Sequence, residues 1–105
     1  MDPDLIRTQL SRSAAKFAEL NYDVPNFNKW INLKVGQLRQ CGETSSDLRS
    51  HIMHAYLSSN NAELVTYVKR EKDYMRDNPA ADYTYKLLMN RVKDKHDILQ
   101  QELLK

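Results

Sequence analysis

The sequence predicts an all-α fold, a compact bundle of about five helices. Apolar residues recur at three- and four-residue spacing through most of the chain, which is the period of an amphipathic helix. With 2 Gly and 3 Pro in 105 residues, the chain has few of the turn residues that a β-sandwich or β-barrel requires. The length suits one modest hydrophobic core, so we expect residues 1–105 to form a single helical domain.

The first helix is predicted to begin after Asp2 and to continue to about Leu20. Pro3 is tolerated in a first helical turn, because the amide hydrogen that proline lacks has no partner inside the helix there. The apolar stripe stops at residues 21–25. Pro25 disfavours helical geometry in the residue before it, so we expect this segment to separate the first helix from the second.

The second helix is predicted from about Asn26, a suitable N-cap, to Cys41. Gly42 follows at the position where a helix commonly ends in a left-handed residue. Gly36 inside this helix costs about 1 kcal/mol relative to Ala. A close crossing with another helix would explain that glycine.

The remaining three helices are predicted from their capping residues. The expected N-caps of the third and fourth helices are Ser45 or Ser46 and Asn60 or Asn61, and the fifth helix is expected to start near Asp82 to Thr84. The last helix keeps its apolar stripe nearly to Lys105, so Leu103 and Leu104 are expected to extend past the core. The residues assigned to the core of the bundle are Phe27, Trp30, Leu38, Ile52, Leu64, Val68, Leu88 and Val92.

Charge and cysteine content exclude several classes of protein. Lys and Arg number 16 against 14 Asp and Glu, so the formal net charge of +2 does not indicate a dedicated nucleic-acid binder. The single cysteine, Cys41, rules out an internal disulfide and a multi-cysteine zinc site. The apolar runs are too short for a membrane span or a signal-peptide core, so we expect no membrane association and a cytoplasmic or virus-like intracellular location.

Catalytic and metal-binding chemistry is weakly represented in the sequence. His51 and His54 are three residues apart on one predicted helix and would bind a metal only if His96 or Cys41 supplied a third ligand. Partly exposed histidines and a small buried thiol are the commoner reading of such residues. The chain also lacks a glycine-rich phosphate loop and a nucleophile elbow. We therefore expect neither an enzyme nor a cofactor.

A short basic cluster on the fourth predicted helix suggests weak RNA binding. Its members, with tyrosines between them, are Lys69, Arg70, Lys72 and Arg76, flanked by Tyr67 and Tyr74. Cations neutralise phosphates and aromatic rings stack on bases, so the combination suits a single strand. Acids in the same helix, Glu63, Glu71 and Asp73, cancel much of this charge. Solvated helix faces and tyrosines at the rim of a helical core are the plainer interpretation.

The aromatic spacing of the chain resembles the Gag polyprotein of copia-type LTR retrotransposons. Phe27 and Trp30 form the aromatic-x-x-Trp pattern, in a helix that closes near Leu38. Further matches to helical Gag-like segments of protist and algal retroelements are Leu64-x-x-Tyr67-Val68, Lys72-Asp73-Tyr74, Thr84-x-x-x-Leu88-Met89, Lys95 and Ile98-Leu99. His96 departs from the tyrosine expected there. The resemblance covers about residues 27–99, and the zinc knuckle and protease that follow a Gag capsid region are not in this sequence.

This resemblance implies an all-helical capsid-type domain that associates with itself into oligomers or a shell around RNA. Such assembly uses exposed apolar positions repeated in each copy, so that weak contacts add up. The candidate self-association residues are Tyr22, Val24, Tyr83, Tyr85, Leu103 and Leu104. Two alternatives stay open: a helical adaptor that binds another protein through a groove or helix face, and a weak nucleic-acid-binding domain.

Overall fold

Six α-helices make up the regular structure of residues 2–104, the part of the chain that the structure, a computed structural model, describes. The helices are α1 (Pro3–Ser11), α2 (Ser13–Glu19), α3 (Val24–Gln40), α4 (Leu48–Leu57), α5 (Ala62–Asp77) and α6 (Tyr85–Leu103). The all-helical prediction is therefore confirmed, with six helices in place of about five. Within the same residues, no helix has the length and apolar character needed to cross a membrane.

The additional helix arises because the first predicted helix is broken at Arg12. Arg12 leaves helical geometry, with φ −102° and ψ 27°, and separates α1 from α2. The serines on either side donate to nearby carbonyl oxygens: Ser11 Oγ lies 2.6 Å from the oxygen of Thr8, and Ser13 Oγ bonds that of Leu10. Serine hydroxyls that compete for backbone groups in this way favour breaks and caps over continuous helix.

Left-handed residues close α2 and α3 in the same way. Asn21 has φ 57°, and the amide of Tyr22 donates to the carbonyl of Phe17, which completes a Schellman motif. The ring of Tyr22 packs edge-on against Phe17 at 5.4 Å, the apolar contact that accompanies this motif. Gly42, at φ 71°, ends α3 as the sequence predicts, and the amide of Glu43 completes the second Schellman motif.

The N-cap agrees with the sequence prediction for α5 and differs for α3 and α4. Asn61 caps α5 through its side-chain acceptor, as predicted, and α6 begins at Tyr85, next to its predicted start, with Thr84 as the cap. Asp23, and not Asn26, caps α3, because its carboxylate accepts from the Asn26 amide at 3.1 Å. The cap position of α4 is Asp47, one residue beyond Ser46, and its side chain caps nothing. The last helix ends at Leu103; Lys105, where the prediction ended it, lies outside the described residues.

Helix α4 lies at the centre of the bundle. It packs on α2, α5 and α6 and also touches α1, while α3 packs on α1 and α6. Half of its residues are buried: Leu48, Ile52, Met53, Ala55 and Tyr56. A helix that is buried on several sides carries apolar residues around most of its circumference, which is why its stripe is less sharp than those of its neighbours.

The core contains seven of the eight residues assigned to it from the sequence. The buried seven are Phe27, Leu38, Ile52, Leu64, Val68, Leu88 and Val92. The prediction is wrong for Trp30, which is partly exposed at the margin of the core. Its ring stacks on Phe27 at 6.1 Å, and Lys16 Nζ lies 5.9 Å from its centroid. The size of the indole explains this position, since tryptophan is rarely covered on all sides in a small domain.

Gly36 does not mark a close helix crossing, contrary to the sequence interpretation. A Cβ atom added there would meet no atom within 4 Å outside its own helix. Its backbone is also helical, so neither packing nor conformation requires glycine at this position.

Candidate functional site

The last turn of α6 presents apolar side chains that the described bundle leaves uncovered. The core-facing stripe of this helix runs through Leu88, Val92 and Leu99, which are all buried. Leu103 continues the stripe one turn further and is 75% exposed, against 6% for Leu99. Leu104, the C-cap residue beside it, is 87% exposed. We call Leu103 and Leu104 the terminal leucine pair.

Two further features of the α6 end bear on what could cover it. Ile98, five residues before Leu103 and on another side of the helix, is 49% exposed. The last turn carries no basic residue; Gln100 and Gln101 are uncharged, and the exposed Glu102 is an acid directly before the leucines. A surface of this kind attracts apolar partners and has little charge for steering a polyanion.

Two of the predicted self-association residues, Val24 and Tyr83, lie in the core, so their predicted place on an exposed surface is wrong. Val24 is 0% exposed, because it forms the first turn of α3 and faces inward beside the Schellman turn. Tyr83 is 4% exposed, because the segment before α6 folds its ring against α5. Tyr22 and Tyr85 are partly buried and pack against the core. The terminal leucine pair is thus the most exposed part of the predicted surface.

Tyr83 belongs to a polar cluster between α5 and α6. Its hydroxyl donates to Glu71 Oε2 at 2.8 Å, and Arg91 Nη1 lies 3.3 Å from Glu71 Oε1. The Arg91 guanidinium also lies 5.7 Å from the Tyr83 ring centroid. Burial and the hydrogen bond to Glu71 raise the pKa of the Tyr83 phenol, and the Glu71 carboxylate raises the pKa of Arg91.

This cluster holds the segment before α6 in place, and sequence reasoning missed it. From the sequence, Glu71 is interpreted only as an acid that offsets the basic cluster, although it occupies a position in the core-facing stripe of α5 between Val68 and Met75. An acid at a stripe position is a usable signal, because a buried carboxylate requires a partner. Its partners, Tyr83 and Arg91, are supplied from beyond the end of the same helix.

Helix geometry places three of the four predicted basic residues on one face of α5 and the fourth, Arg70, on another. Arg76 lies 3.4 Å from Asp73 and 3.2 Å from Asp77, so its charge is largely compensated. Arg70 lines one shallow cleft with Tyr67, and Lys72 lines another with His54. Lys69 is exposed. Among these four cations, only Arg70 therefore lines a cleft with one of the flanking tyrosines, and the charge of Arg76 is compensated.

The histidines and the cysteine are not assembled into a metal site. Within residues 2–104, no group of three or more His, Cys, Asp or Glu side chains is placed to hold a metal ion. His51 is half-buried and His54 is exposed on α4. Cys41, the C-cap of α3, is partly buried.

Comparison of the chain with models of protein families, with curated proteins and with solved structures gives no match.

Proposed function

We propose that this chain is a structural, non-catalytic helical domain that associates with copies of itself through the end of α6. The observation that carries the proposal is the abrupt loss of burial along one stripe, from Leu99 to Leu103. An apolar stripe that continues past its own core is completed by apolar surface from elsewhere. The resemblance to the capsid region of copia-type Gag polyproteins supports the same role.

A second copy is the occupant that we propose for this surface. A two-fold axis near the end of α6 would pair the terminal leucine pair of one copy with that of the other, so that one patch serves both sides. Glu102 is the one charged side chain among residues 98–104, and the last turn holds no basic residue, so a two-fold contact must keep the two Glu102 side chains at its solvent-exposed rim. The assembly implied by the resemblance requires surfaces of this kind in every copy.

Each such contact is weak. Covering one leucine stabilises by about 1.5–3 kcal/mol, so four leucines contribute about 6–12 kcal/mol. Association costs at least about 4 kcal/mol, and often more, in lost translational and rotational freedom. The balance of about 2–8 kcal/mol corresponds to a dissociation constant between about 30 mM and about 1 µM for one contact. A shell would then depend on many such contacts, supplemented by other surfaces.

Sedimentation velocity over about 10 µM to 1 mM protein, which lies inside this range of dissociation constants, tests the proposal. We expect reversible growth beyond the monomer that persists at about 1 M salt, because apolar contacts are not screened. The double variant Leu103→Gln/Leu104→Gln should remain monomeric. Leu5→Gln/Leu33→Gln is the matched control, since both leucines are 57% exposed on other helices.

Three results would contradict self-association at this surface. One is a strict monomer at every concentration. The second is association that the terminal substitutions leave unchanged, and the third is equal loss of association in the matched control. A strict monomer would make the adaptor function the first choice, with a partner protein in place of the second copy.

A further inference from the structure

We propose that the cleft between the N-terminal ends of α4 and α6 binds a phosphate-bearing anion. The cleft has a volume of about 520 Å³, and basic side chains of three segments line it: Arg39 from the end of α3, Arg49 from α4 and Lys86 from α6. We call these three residues the cleft cations. The inference does not depend on the proposed self-association, because the terminal leucine pair lies outside this cleft.

The cleft is lined by cations without acids. None of the residues that line it is Asp or Glu. Among the described residues, no carboxylate lies within 4 Å of a cleft cation. The nearby acid Glu43 is already paired, since Arg7 Nη2 lies 2.6 Å from its carboxylate. The exposed acids Asp47 and Asp82 adjoin lining residues in sequence but pair with none of the cleft cations. Three positive charges that share one cleft with no acid within 4 Å are stabilised by a bound anion.

Neutral hydrogen-bonding groups in the cleft also suit phosphate oxygens. Hydroxyl groups of Ser45, Ser46, Ser50 and Thr84 lie on its walls. Hydroxyls donate to phosphate oxygens, and guanidinium groups donate two parallel hydrogen bonds to them. The combination of three cations and four hydroxyls matches an anion with several oxygens better than a carboxylate or a halide.

A hydrogen bond to the backbone fixes the Arg49 guanidinium at the cleft. Its Nη1 donates to the carbonyl oxygen of Tyr83 at 2.6 Å, which fixes the guanidinium beside the start of α6. A guanidinium has five N–H donors, so further donors remain for a ligand. Because Tyr83 is itself bound to Glu71, the cluster between α5 and α6 fixes one wall of the cleft.

The helix ends add a field of the same sign. α4 and α6 both begin at this cleft, so the positive ends of their dipoles face it. The side chain of Asp47 accepts no hydrogen bond from the first turn of α4, so the first amides of this helix have no side-chain acceptor there. This effect supplements the cations.

The test combines a phosphate titration with two charge-matched double variants. Arg39→Gln/Lys86→Gln removes one Arg and one Lys from the cleft, and both side chains are exposed. Lys69→Gln/Arg70→Gln removes the same pair of residue types from α5. Arg49 is not substituted, because it also anchors Tyr83. Both variants should keep the melting temperature of the unmodified chain, since they change exposed side chains.

Inorganic phosphate, followed by amide NMR shifts, is the first probe. We expect saturable shifts centred on residues 45–50 and 84–86. The cleft variant should weaken the apparent affinity by about tenfold or more, because it removes two charge-assisted contacts. The α5 variant should leave the affinity within about twofold, since long-range charge is screened.

A labelled oligouridylate, followed by fluorescence anisotropy, distinguishes a nucleic-acid backbone from a small phosphate. Binding of the oligouridylate with a salt slope reduced by about 1.4 in the cleft variant identifies a single-stranded backbone as the ligand, since each phosphate contact adds about 0.7. Phosphate binding without oligouridylate binding identifies a small phosphorylated ligand. Absence of both, or equal weakening in the two double variants, would overturn the inference.

Discussion

Removal of the Glu71 carboxylate is the perturbation whose energetic cost the structure defines most closely. Glu71 accepts from the buried Tyr83 hydroxyl at 2.8 Å and from Arg91 at 3.3 Å, and its side chain is 9% exposed. A hydrogen bond to a buried charged group contributes about 1.5–3 kcal/mol. The Arg91 side chain is 45% exposed, so solvent screening limits that ion pair to about 0.2–1 kcal/mol. We therefore expect Glu71→Ala to destabilise the chain by about 2–4 kcal/mol.

A double-mutant cycle isolates the hydrogen bond itself. The free energy of unfolding, measured by urea denaturation, is compared for Glu71→Ala, Tyr83→Phe and the combination. We expect a coupling energy of about 1–2 kcal/mol, because the second substitution removes a hydroxyl that has already lost its acceptor. Asp94→Ala, an exposed acid on α6, is the control and should couple to Tyr83→Phe by less than about 0.5 kcal/mol. Additive effects of Glu71 and Tyr83 would refute the cluster.

Three further predictions concern the core margin, the helix α3 and alkaline pH. Trp30→Ala should lower the free energy of unfolding by about 1–3 kcal/mol, less than the roughly 3–5 kcal/mol expected for a fully buried ring. A larger loss, measured by urea denaturation, would show that the Trp30 ring is buried in the core. Gly36→Ala should stabilise by about 0.5–1 kcal/mol in the same measurement, since Cβ meets nothing there; a lower stability would disprove the open site. Burial raises the pKa of Tyr56 and Tyr83, so stability is retained below pH ~10, the unfolded value, and falls above it. Tyr83→Phe should reduce that fall by up to about 1.4 kcal/mol per pH unit, and an unchanged pH profile would contradict the raised pKa.

Local sequence signals predicted the helices wherever one residue type determines the geometry. Asn61 and Thr84 begin helices because their side chains accept from nearby amides, and Gly42 ends one because it adopts a positive φ. The break at Arg12 was missed because the apolar stripe continues across it. Serine hydroxyls on either side bond the backbone, a weaker signal than proline.

The tertiary positions of aromatic and aliphatic residues near chain breaks could not be read from spacing. Val24 and Tyr83 lie at the predicted helix breaks, outside the apolar stripes of the helices. The linear sequence therefore gives no sign of the residues that cover them. Val24 is buried because it belongs to the first turn of α3 and faces the core, and Tyr83 is buried because its segment folds against α5; both depend on packing order. Leu103 and Leu104 were correctly expected to extend past the core, since that expectation requires only the length of one helix.

Long-range polar groupings were the least predictable part. Arg39, Arg49 and Lys86 come from three helices and meet only because α4 and α6 start at the same end of the bundle. The contiguous basic run on α5 was more visible in sequence, although Asp73 and Asp77 compensate its last member. Contiguity along a chain is thus a poor guide to shared charge on a helical surface.

Amide NMR spectra recorded over a dilution series test self-association through the end of α6. We expect concentration-dependent shifts and broadening confined to residues 98–104, and their disappearance in Leu103→Gln/Leu104→Gln. Spectra that do not change with concentration, or changes centred on another helix, would contradict it.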